Sequence, residues 1–277
     1  MEILYAIIIG IVQGLTEFLP VSSTAHMTIV AKLLGANAIS DPKVWTATMA
    51  TIQLGTLASL LFYFRKEIVS IFVAMAKEPS KFRKEGFSAL QSDDRLGWLI
   101  VIGSIPIFIL GYLLKDFIEG EFTKSFWTIS TSLIIVALIL WVAEKTGKFT
   151  KSIEDVSLLD AFLVGVAQCF ALIPGVSRSG ATITAGLFLG FKREEAARFS
   201  FLLSIPAVFV SGVYEFVSNF ELLSLDLLLF LAISTITAFV SGIFAISFLL
   251  NYLKRKSTLA FVVYRIVLGV SIILWFI

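Results

Sequence analysis

The sequence predicts an all-α polytopic membrane protein with six transmembrane helices and two re-entrant helical hairpins. Composition is the first observation behind this prediction: of 277 residues, 58% are hydrophobic and 15% are charged, and the mean hydropathy is +0.95. Apolar runs also recur from one end of the chain to the other, which leaves no room for a sizeable soluble domain. Finally, two of these runs are broken near their middle by proline. Residues 1–277 are therefore expected to form a single membrane domain.

The first apolar region, residues 4–35, is broken at Pro20, and a later one, residues 158–190, is broken at Pro174-Gly175. Proline ends or kinks a helix, so each region is divided into halves of roughly ten to sixteen residues. At about 1.5 Å per residue, such halves are too short to cross a hydrocarbon core of about 30 Å. Both regions are predicted to be hairpins that enter and leave the membrane on the same side.

The other apolar regions are long enough to cross the bilayer as single helices. Five of them are uninterrupted, and one contains Pro206. In chain order, the predicted spans are residues 44–64, 96–114, 125–144, 199–217, 227–250 and 259–277.

The two broken regions match each other in sequence. Gly10-Ile11-Val12-Gln13 aligns with Gly165-Val166-Ala167-Gln168, and Val21-Ser22-Ser23 aligns with Val176-Ser177-Arg178, both at an offset of 155 residues. Each is followed by full spans. This shared order predicts an internal repeat, with halves at approximately 1–144 and 145–277.

Loop charges predict the orientation of the chain. Sixteen lysines and arginines fall in segments that the span order places on one side, whereas Lys32, Lys43, Lys115 and Lys124 lie on the other. The positive-inside rule assigns the basic side to the cytoplasm. The first hairpin then enters from outside and the second from inside, so the repeats are inverted and their tips can meet near the midplane. The net charge of +2 does not suggest a nucleic-acid partner, and the single cysteine, Cys169, excludes a disulfide framework.

The first hairpin carries an acid, hydroxyls and the only histidine of the chain. Gln13 and Glu17 share one face of a helix, and Ser22 or Ser23 is a natural N-cap for the half-helix after Pro20. His26 then falls in the first turns, where it can share a face with both serines. A carboxylate this deep in apolar sequence favours a functional role, although capping remains an alternative for each serine.

The second hairpin has the composition of an anion site. Ser177 is the expected N-cap, and Arg178, Ser179 and Thr182 follow it. Free amides at a helix start, hydroxyls and a guanidinium together suit a phosphate group. Arg265, six residues into the last span, is predicted to be a second cationic ligand, and Gln168 is expected to form hydrogen bonds between helices. The two tips together suit phosphoryl transfer.

These residues closely resemble the undecaprenyl-pyrophosphate phosphatase family, the bacitracin-resistance phosphatases of bacteria. The likeness spans essentially the whole chain and is most specific in the segments Gln13 to His26 and Pro174 to Thr182, with further matches at Ile52-Gln53-Leu54-Gly55 and Tyr264-Arg265. Gln13 is the glutamine form of the family's acidic motif. Ala25 stands where the family is expected to have glycine, a departure that leaves the chemistry intact.

The resemblance implies removal of one phosphate from undecaprenyl pyrophosphate, which recycles the lipid carrier of cell-wall synthesis. It also implies a divalent cation, Mg²⁺ or Ca²⁺, placed by Glu17 and Gln13, and a site in the bacterial cytoplasmic membrane that opens to the outer face. The expected substrate ligands are Ser22, Ser177, Arg178, Ser179, Thr182 and Arg265.

His26, Ser23 and Glu17 are the expected catalytic residues, but the sequence leaves the mechanism open. Ser23 can attack with His26 as base, His26 can be the nucleophile, or His26 can serve as acid and base for water. The alternative function is a polyprenyl-phosphate flippase, because transporters also build midplane sites from inverted repeats. The combination of Ser23, His26 and Glu17 favours the enzyme. A homodimer is left open.

Overall fold

A computed structural model describes residues 2–34, 42–77, 81–90, 92–114, 125–220 and 225–276. Within these ranges the chain is helical apart from turns and a single isolated bridge between Lys151 and Phe191. Lys115 and Lys124, which the charge count assigns to the outer side, lie outside the described residues. The helices are α1 (Glu2–Phe18), α2 (Ser23–Leu33), α3 (Pro42–Tyr63), α4 (Arg65–Lys77), α5 (Lys81–Glu85), α6 (Ser92–Leu113), α7 (Phe126–Thr146), α8 (Leu158–Cys169), α9 (Arg178–Phe188), α10 (Arg193–Ser218), α11 (Leu225–Leu253) and α12 (Leu259–Phe276).

Six of the described helices are long and apolar enough to cross a membrane, as the sequence predicts. They are α3, α6, α7, α10, α11 and α12, and each begins and ends within a few residues of its predicted span, except that α10 begins six residues earlier. Large apolar side chains on their outer faces are exposed; Leu274 and Trp275, for example, are 75% and 83% exposed. In water such surfaces would be costly, so these faces meet lipid.

The two broken regions form helical hairpins, as predicted. The first consists of α1 and α2, and the second of α8, the short 3₁₀ turn Phe170–Leu172, and α9. Helices of 17, 11, 12 and 11 residues are all shorter than the about 20 residues that a transmembrane helix needs.

Polar contacts gather the basic segments at one end of the bundle. The Glu144 carboxylate accepts from the Arg193 guanidinium at 2.5 Å and from the Thr258 hydroxyl at 2.8 Å. Arg198 donates to Glu67 at 2.7 Å. The ends of α3, α7 and α11 and the start of α10 therefore share this end, which agrees with the predicted span order.

The hairpins open toward opposite ends. Lys151 pairs with Asp160 near the start of α8, which ties the second hairpin to the basic end. Lys32, near the end of α2, lies over the rings of Phe126 and Phe276, which begin α7 and end α12 at the other end.

Small residues allow both hairpins to approach the spans closely. A Cβ added at Gly10 would lie 2.4 Å from the Ser234 carbonyl oxygen on α11. A Cβ added at Gly165 would lie 2.0 Å from the Gly103 carbonyl oxygen on α6. Close packing of this kind is how helices associate in a membrane, where apolar surface alone supplies little driving force. Gly10 and Gly165 are separated by the same 155 residues as the matching motifs.

Candidate active site

Each hairpin turns at a serine whose backbone is in the left-handed half of conformational space. Ser22 has φ 73° and Ser177 has φ 70°, and each is the N-cap of the half-helix that follows. The Ser22 hydroxyl accepts from the Ala25 amide at 3.4 Å, and the Ser177 hydroxyl accepts from the Gly180 amide at 3.2 Å. These bonds confirm Ser177 as an N-cap and select Ser22 rather than Ser23 in the first hairpin. A positive φ outside glycine is strained, and such strain concentrates at functional sites.

The two tips are joined by an ion pair between Glu17 and Arg178. The second Glu17 oxygen, Oε2, accepts from the Gln13 side-chain amide at 2.8 Å and from the Ser23 hydroxyl at 2.7 Å. Glu17 is thus bound by residues of both hairpins, and Gln13 shares its face, as predicted. Because the Ser23 hydroxyl donates to a carboxylate, its proton already points at a base.

Arg265 lies beneath the tips rather than in contact with an open space. It is fully buried, and its guanidinium donates to the carbonyl oxygens of Leu133, Pro20, Gly175 and Val176 at 3.0–3.2 Å. The carbonyls freed at the proline breaks therefore find their donors on one side chain. Its N–H groups are directed to the backbone of both hairpins in this structure, and substrate binding by Arg265 stays a prediction.

Ser179 and Thr182 are likewise turned away from open space. The Ser179 hydroxyl donates to the Leu19 carbonyl oxygen at 3.0 Å and is hydrogen-bonded to Ser177 Oγ at 3.1 Å. Thr182 Oγ1 donates to the Arg178 carbonyl and is hydrogen-bonded to Ser200 Oγ at 2.5 Å. Both side chains are buried. Their hydroxyls hold α9 against α1 and α10 in this structure, and their role as substrate ligands stays a prediction.

His26 faces the last span. Its Nδ1 lies 2.7 Å from the Ser22 carbonyl oxygen, its Nε2 lies 2.6 Å from the Tyr264 hydroxyl, and the two rings stack with centroids 5.6 Å apart. A carbonyl oxygen can only accept, so Nδ1 carries a proton and, in the neutral ring, Nε2 accepts from Tyr264. His26 is hydrogen-bonded to the strained residue Ser22, and it does not line the cavity described next.

A cavity of about 520 Å³ lies beside the ion pair. Its polar end is formed by the hairpin tips, through Glu17, Ser22, Ser23, Ser177 and Arg178. Its other end runs between the C-terminal halves of α6 and α10, where Ile107, Phe108, Ala207 and Val210 form an apolar wall. A cavity with an arginine among hydroxyls at one end and an apolar wall beside it suits a lipid with an anionic head.

Sequence reasoning missed several residues that line this cavity. Gln53 on α3 and Tyr214 and Glu215 on α10 belong to it, as does Gln168 on α8. Gln53 lay within a segment that carries the family likeness, and Gln168 matched Gln13 across the repeat, so both signals were present. Tyr214 and Glu215 stand near the end of a predicted span, and the sequence pattern around them indicates no function.

The polar end offers few ligands for a divalent cation. No group of three or more histidine, cysteine, aspartate or glutamate side chains gathers anywhere in the described ranges. Glu17 is the carboxylate at the hairpin tips, and its oxygens are shared by Arg178, Gln13 and Ser23. Mg²⁺ commonly binds through one or two carboxylates together with substrate phosphates and waters, whereas Ca²⁺ takes six to eight oxygens. The residues therefore fit a Mg²⁺ that is held largely by a phosphorylated ligand.

Comparison with known proteins assigns the chain to a family. Residues 6–271 match the family described as "Bacitracin resistance protein BacA". A relative from Syntrophobacter fumaroxidans, named undecaprenyl-diphosphatase, is 48% identical over 275 residues, which cover 99% of this chain and 97% of the relative. Proteins of the same name from Myxococcus xanthus and Chlorobaculum parvum are 48% and 46% identical, over 99% of this chain and 89% and 97% of their own lengths. This chain belongs to the bacitracin-resistance protein family.

Proposed function

We propose that this chain hydrolyses undecaprenyl diphosphate to undecaprenyl phosphate and inorganic phosphate. The observation that carries the proposal is the Ser23 hydroxyl, which donates to Glu17 at 2.7 Å beside an arginine, at the charged end of an apolar-walled cavity. The family and the names of its closely similar members supply the substrate class. The products return the lipid carrier to cell-wall synthesis.

The diphosphate would bind at the hairpin tips. Arg178 is the one arginine that lines the cavity within the described residues, and it begins helix α9, whose N-terminal dipole favours an anion. The prenyl tail would lie along Ile107, Phe108, Ala207 and Val210. This placement sets the terminal phosphate near Ser23.

Ser23 would act as the nucleophile and Glu17 as its base. The Ser23 oxygen attacks the terminal phosphorus, its proton passes to Glu17 Oε2, and the bond to the bridging oxygen breaks to release undecaprenyl phosphate. Glu17 gives this proton to the undecaprenyl phosphate that leaves. Water then attacks the phosphoserine and gives a proton to the Glu17 carboxylate, which passes it to the Ser23 oxygen as inorganic phosphate is released. The hydrogen bond from Ser23 to Glu17 favours this assignment over His26 as the base.

His26 would serve as a positioning residue. Its Nδ1–H holds the Ser22 carbonyl, and that bond restrains the strained turn which presents Ser23 to Glu17. Direct attack by His26 is disfavoured because both ring nitrogens are engaged, by Ser22 and Tyr264.

We also propose that a divalent cation takes part. When bound with the diphosphate, it would neutralise phosphate charge, and Glu17 with the Gln13 amide oxygen would be its protein ligands. Removal of divalent cations with a chelator should abolish phosphate release, and added Mg²⁺ should restore it. A rate unchanged by chelation would remove the cation from the proposal.

The site is proposed to open to the outer face of the bacterial cytoplasmic membrane. The cavity is lined by Gly111 and Tyr112 near the end of α6 and by Glu215 near the end of α10, and both ends lie opposite the basic segments. The same charge distribution supports the assignment of inverted repeats at approximately 1–144 and 145–277.

The deciding experiment measures inorganic phosphate released from undecaprenyl diphosphate by the purified protein in detergent. Transport is impossible there, so release demonstrates hydrolysis and Ser23→Ala should abolish it. A protein that binds the lipid but releases no phosphate would refute the proposal and favour the flippase.

A further inference from the structure

Gln168 is a buried amide without a hydrogen-bond partner. Its side chain has 0% exposure, and neither Oε1 nor Nε2 bonds to any residue that the structure describes. This overturns the expectation that Gln168 joins two helices through hydrogen bonds. Buried polar groups are nearly always satisfied, so an unpaired amide of this kind requires an explanation.

The position of Gln168 provides that explanation, since it lines the cavity beside the hairpin tips. The described chain holds two other buried side chains whose sole polar atom is unpaired, Thr48 and Ser234, and neither lines the cavity. Arg95 Nε is unpaired but the same guanidinium donates to Val156, and Glu195 Oε2 forms an ion pair with Arg198 at 3.6 Å. Gln168 is therefore the unsatisfied group that adjoins the cavity, and its buried amide would meet a molecule there once the side chain turns toward the hairpin tips.

Comparison of the two hairpins shows which partner Gln168 lacks. Gln13 and Gln168 are equivalent at the offset of 155 residues, and Gln13 donates to the Glu17 carboxylate at 2.8 Å. The residue equivalent to Glu17 in the second hairpin is Leu172. The amide is thus kept while its anionic acceptor is absent from the helix. An anion in the cavity would replace that acceptor.

We propose that Gln168 binds the diphosphate of the substrate. Its Nε2 donates to a phosphate oxygen, and its Oε1 accepts from a protonated phosphate oxygen or from a water held by the phosphate. With Arg178, it completes a contact from the second hairpin to the group that Ser23 attacks from the first. This inference rests on the proposed function, and it adds a substrate-binding residue to it.

The unpaired amide lowers the stability of the free protein but should strengthen substrate binding, so a test can measure the two effects separately. Gln168→Met replaces a buried, unpaired amide by an apolar side chain of similar size, so the melting temperature should stay equal or rise. The same variant should lose about tenfold or more in kcat/KM, the usual scale for a hydrogen bond to a charged group. Thr48→Val is the matched control. It too removes a buried, unpaired polar group, here a hydroxyl away from the cavity, and should keep wild-type kcat/KM.

A second measurement reports binding without turnover. Inorganic pyrophosphate should raise the melting temperature of the wild type and of Thr48→Val, and the shift should be lost in Gln168→Met. If Gln168→Met does not fold, Gln168→Glu keeps the shape and should still lose activity and pyrophosphate binding, because it brings an anion against the phosphates. Gln168→Met, or Gln168→Glu in its place, with kcat/KM within about twofold of the wild type would overturn the proposal. Absence of phosphate release by the wild type would instead refute the proposed function.

Discussion

Glu17 and Arg178 lie 161 positions apart in the chain and form an ion pair between the tips of two hairpins. Their side chains are 4% and 18% exposed. Two charges this well buried stabilise each other only as a pair, and loss of one leaves the other without a partner. The pair therefore fixes the distance between the hairpins, and an arriving phosphate must share Arg178 with Glu17.

Arg178→Lys should recover little of the activity that Arg178→Ala loses. Lysine keeps the positive charge but lacks the planar fork needed to bind Glu17 and a phosphate at once. The measurement is phosphate release at saturating and limiting substrate for both variants. Lys148→Ala, a charge removed away from the site, is the control. Wild-type kcat/KM in the lysine variant would show that Arg178 acts only as a point charge.

Ser23→Ala should lower kcat by at least about two orders of magnitude, because it removes the proposed nucleophile. Ser22→Gly should be far milder, since glycine accepts a positive φ and costs only a few tenths of a kcal/mol at an N-cap. The measurement is the phosphate-release rate of each variant, and circular dichroism checks that both are folded. Equal losses in both variants would contradict the assignment of distinct roles to these neighbours.

His26→Ala should lose about a hundredfold in kcat, the scale expected when a change away from the chemistry misplaces a catalytic group. His26→Asn should recover much of this loss, because the asparagine amide nitrogen can replace Nδ1 as the donor to Ser22. An asparagine variant as inactive as the alanine variant would indicate that His26 exchanges protons itself. Tyr264→Phe removes only the hydrogen bond at His26 Nε2, so its effect on kcat separates the role of Nε2 from that of Nδ1.

Arg265→Met should destabilise the protein by more than about 3 kcal/mol, because four buried carbonyl oxygens lose their donor. Arg265→Lys should be intermediate, since one ammonium cannot reach carbonyls on three segments. Thermal unfolding in detergent measures the effect, with Arg255→Met on the exposed basic turn as the control. A melting temperature unchanged in Arg265→Met would show that the hairpin breaks are held by other contacts.

The membrane orientation can be tested by labelling single cysteines in whole cells. With Cys169→Ser as background, an impermeant maleimide should label Asn219→Cys but not Arg255→Cys, because the basic residues are expected in the cytoplasm. Permeabilised cells should label at both positions and serve as the control. Reversed labelling would place the cavity mouth on the cytoplasmic face.

Local pattern was sufficient for the secondary structure. Each of the six long helices matched its predicted span because an apolar stretch of this length has its lowest free energy as a helix across the bilayer. Pro20 and Pro174-Gly175 located the hairpin turns for an equally local reason, since proline cannot continue a helix. The Gln13 and Glu17 contact followed from helical spacing.

Partners distant in sequence were decided only by the tertiary structure. Arg265 donates to carbonyls of both hairpins, and Ser179 and Thr182 hold helices together. Their binding of the substrate stays a prediction. Composition cannot distinguish a guanidinium that awaits a phosphate from one that satisfies backbone, because both are buried cations beside broken helices.

The sequence by itself determined the class of protein, the spans, the hairpin breaks and the inventory of chemical groups, because hydrophobicity and backbone propensity act over neighbouring residues. Only the tertiary structure decided which groups face the cavity. It paired Ser23 with Glu17 rather than with His26, and it left Gln168 without a partner. These outcomes depend on how two hairpins separated by more than a hundred residues pack against each other, and such packing leaves no periodic signal in the chain.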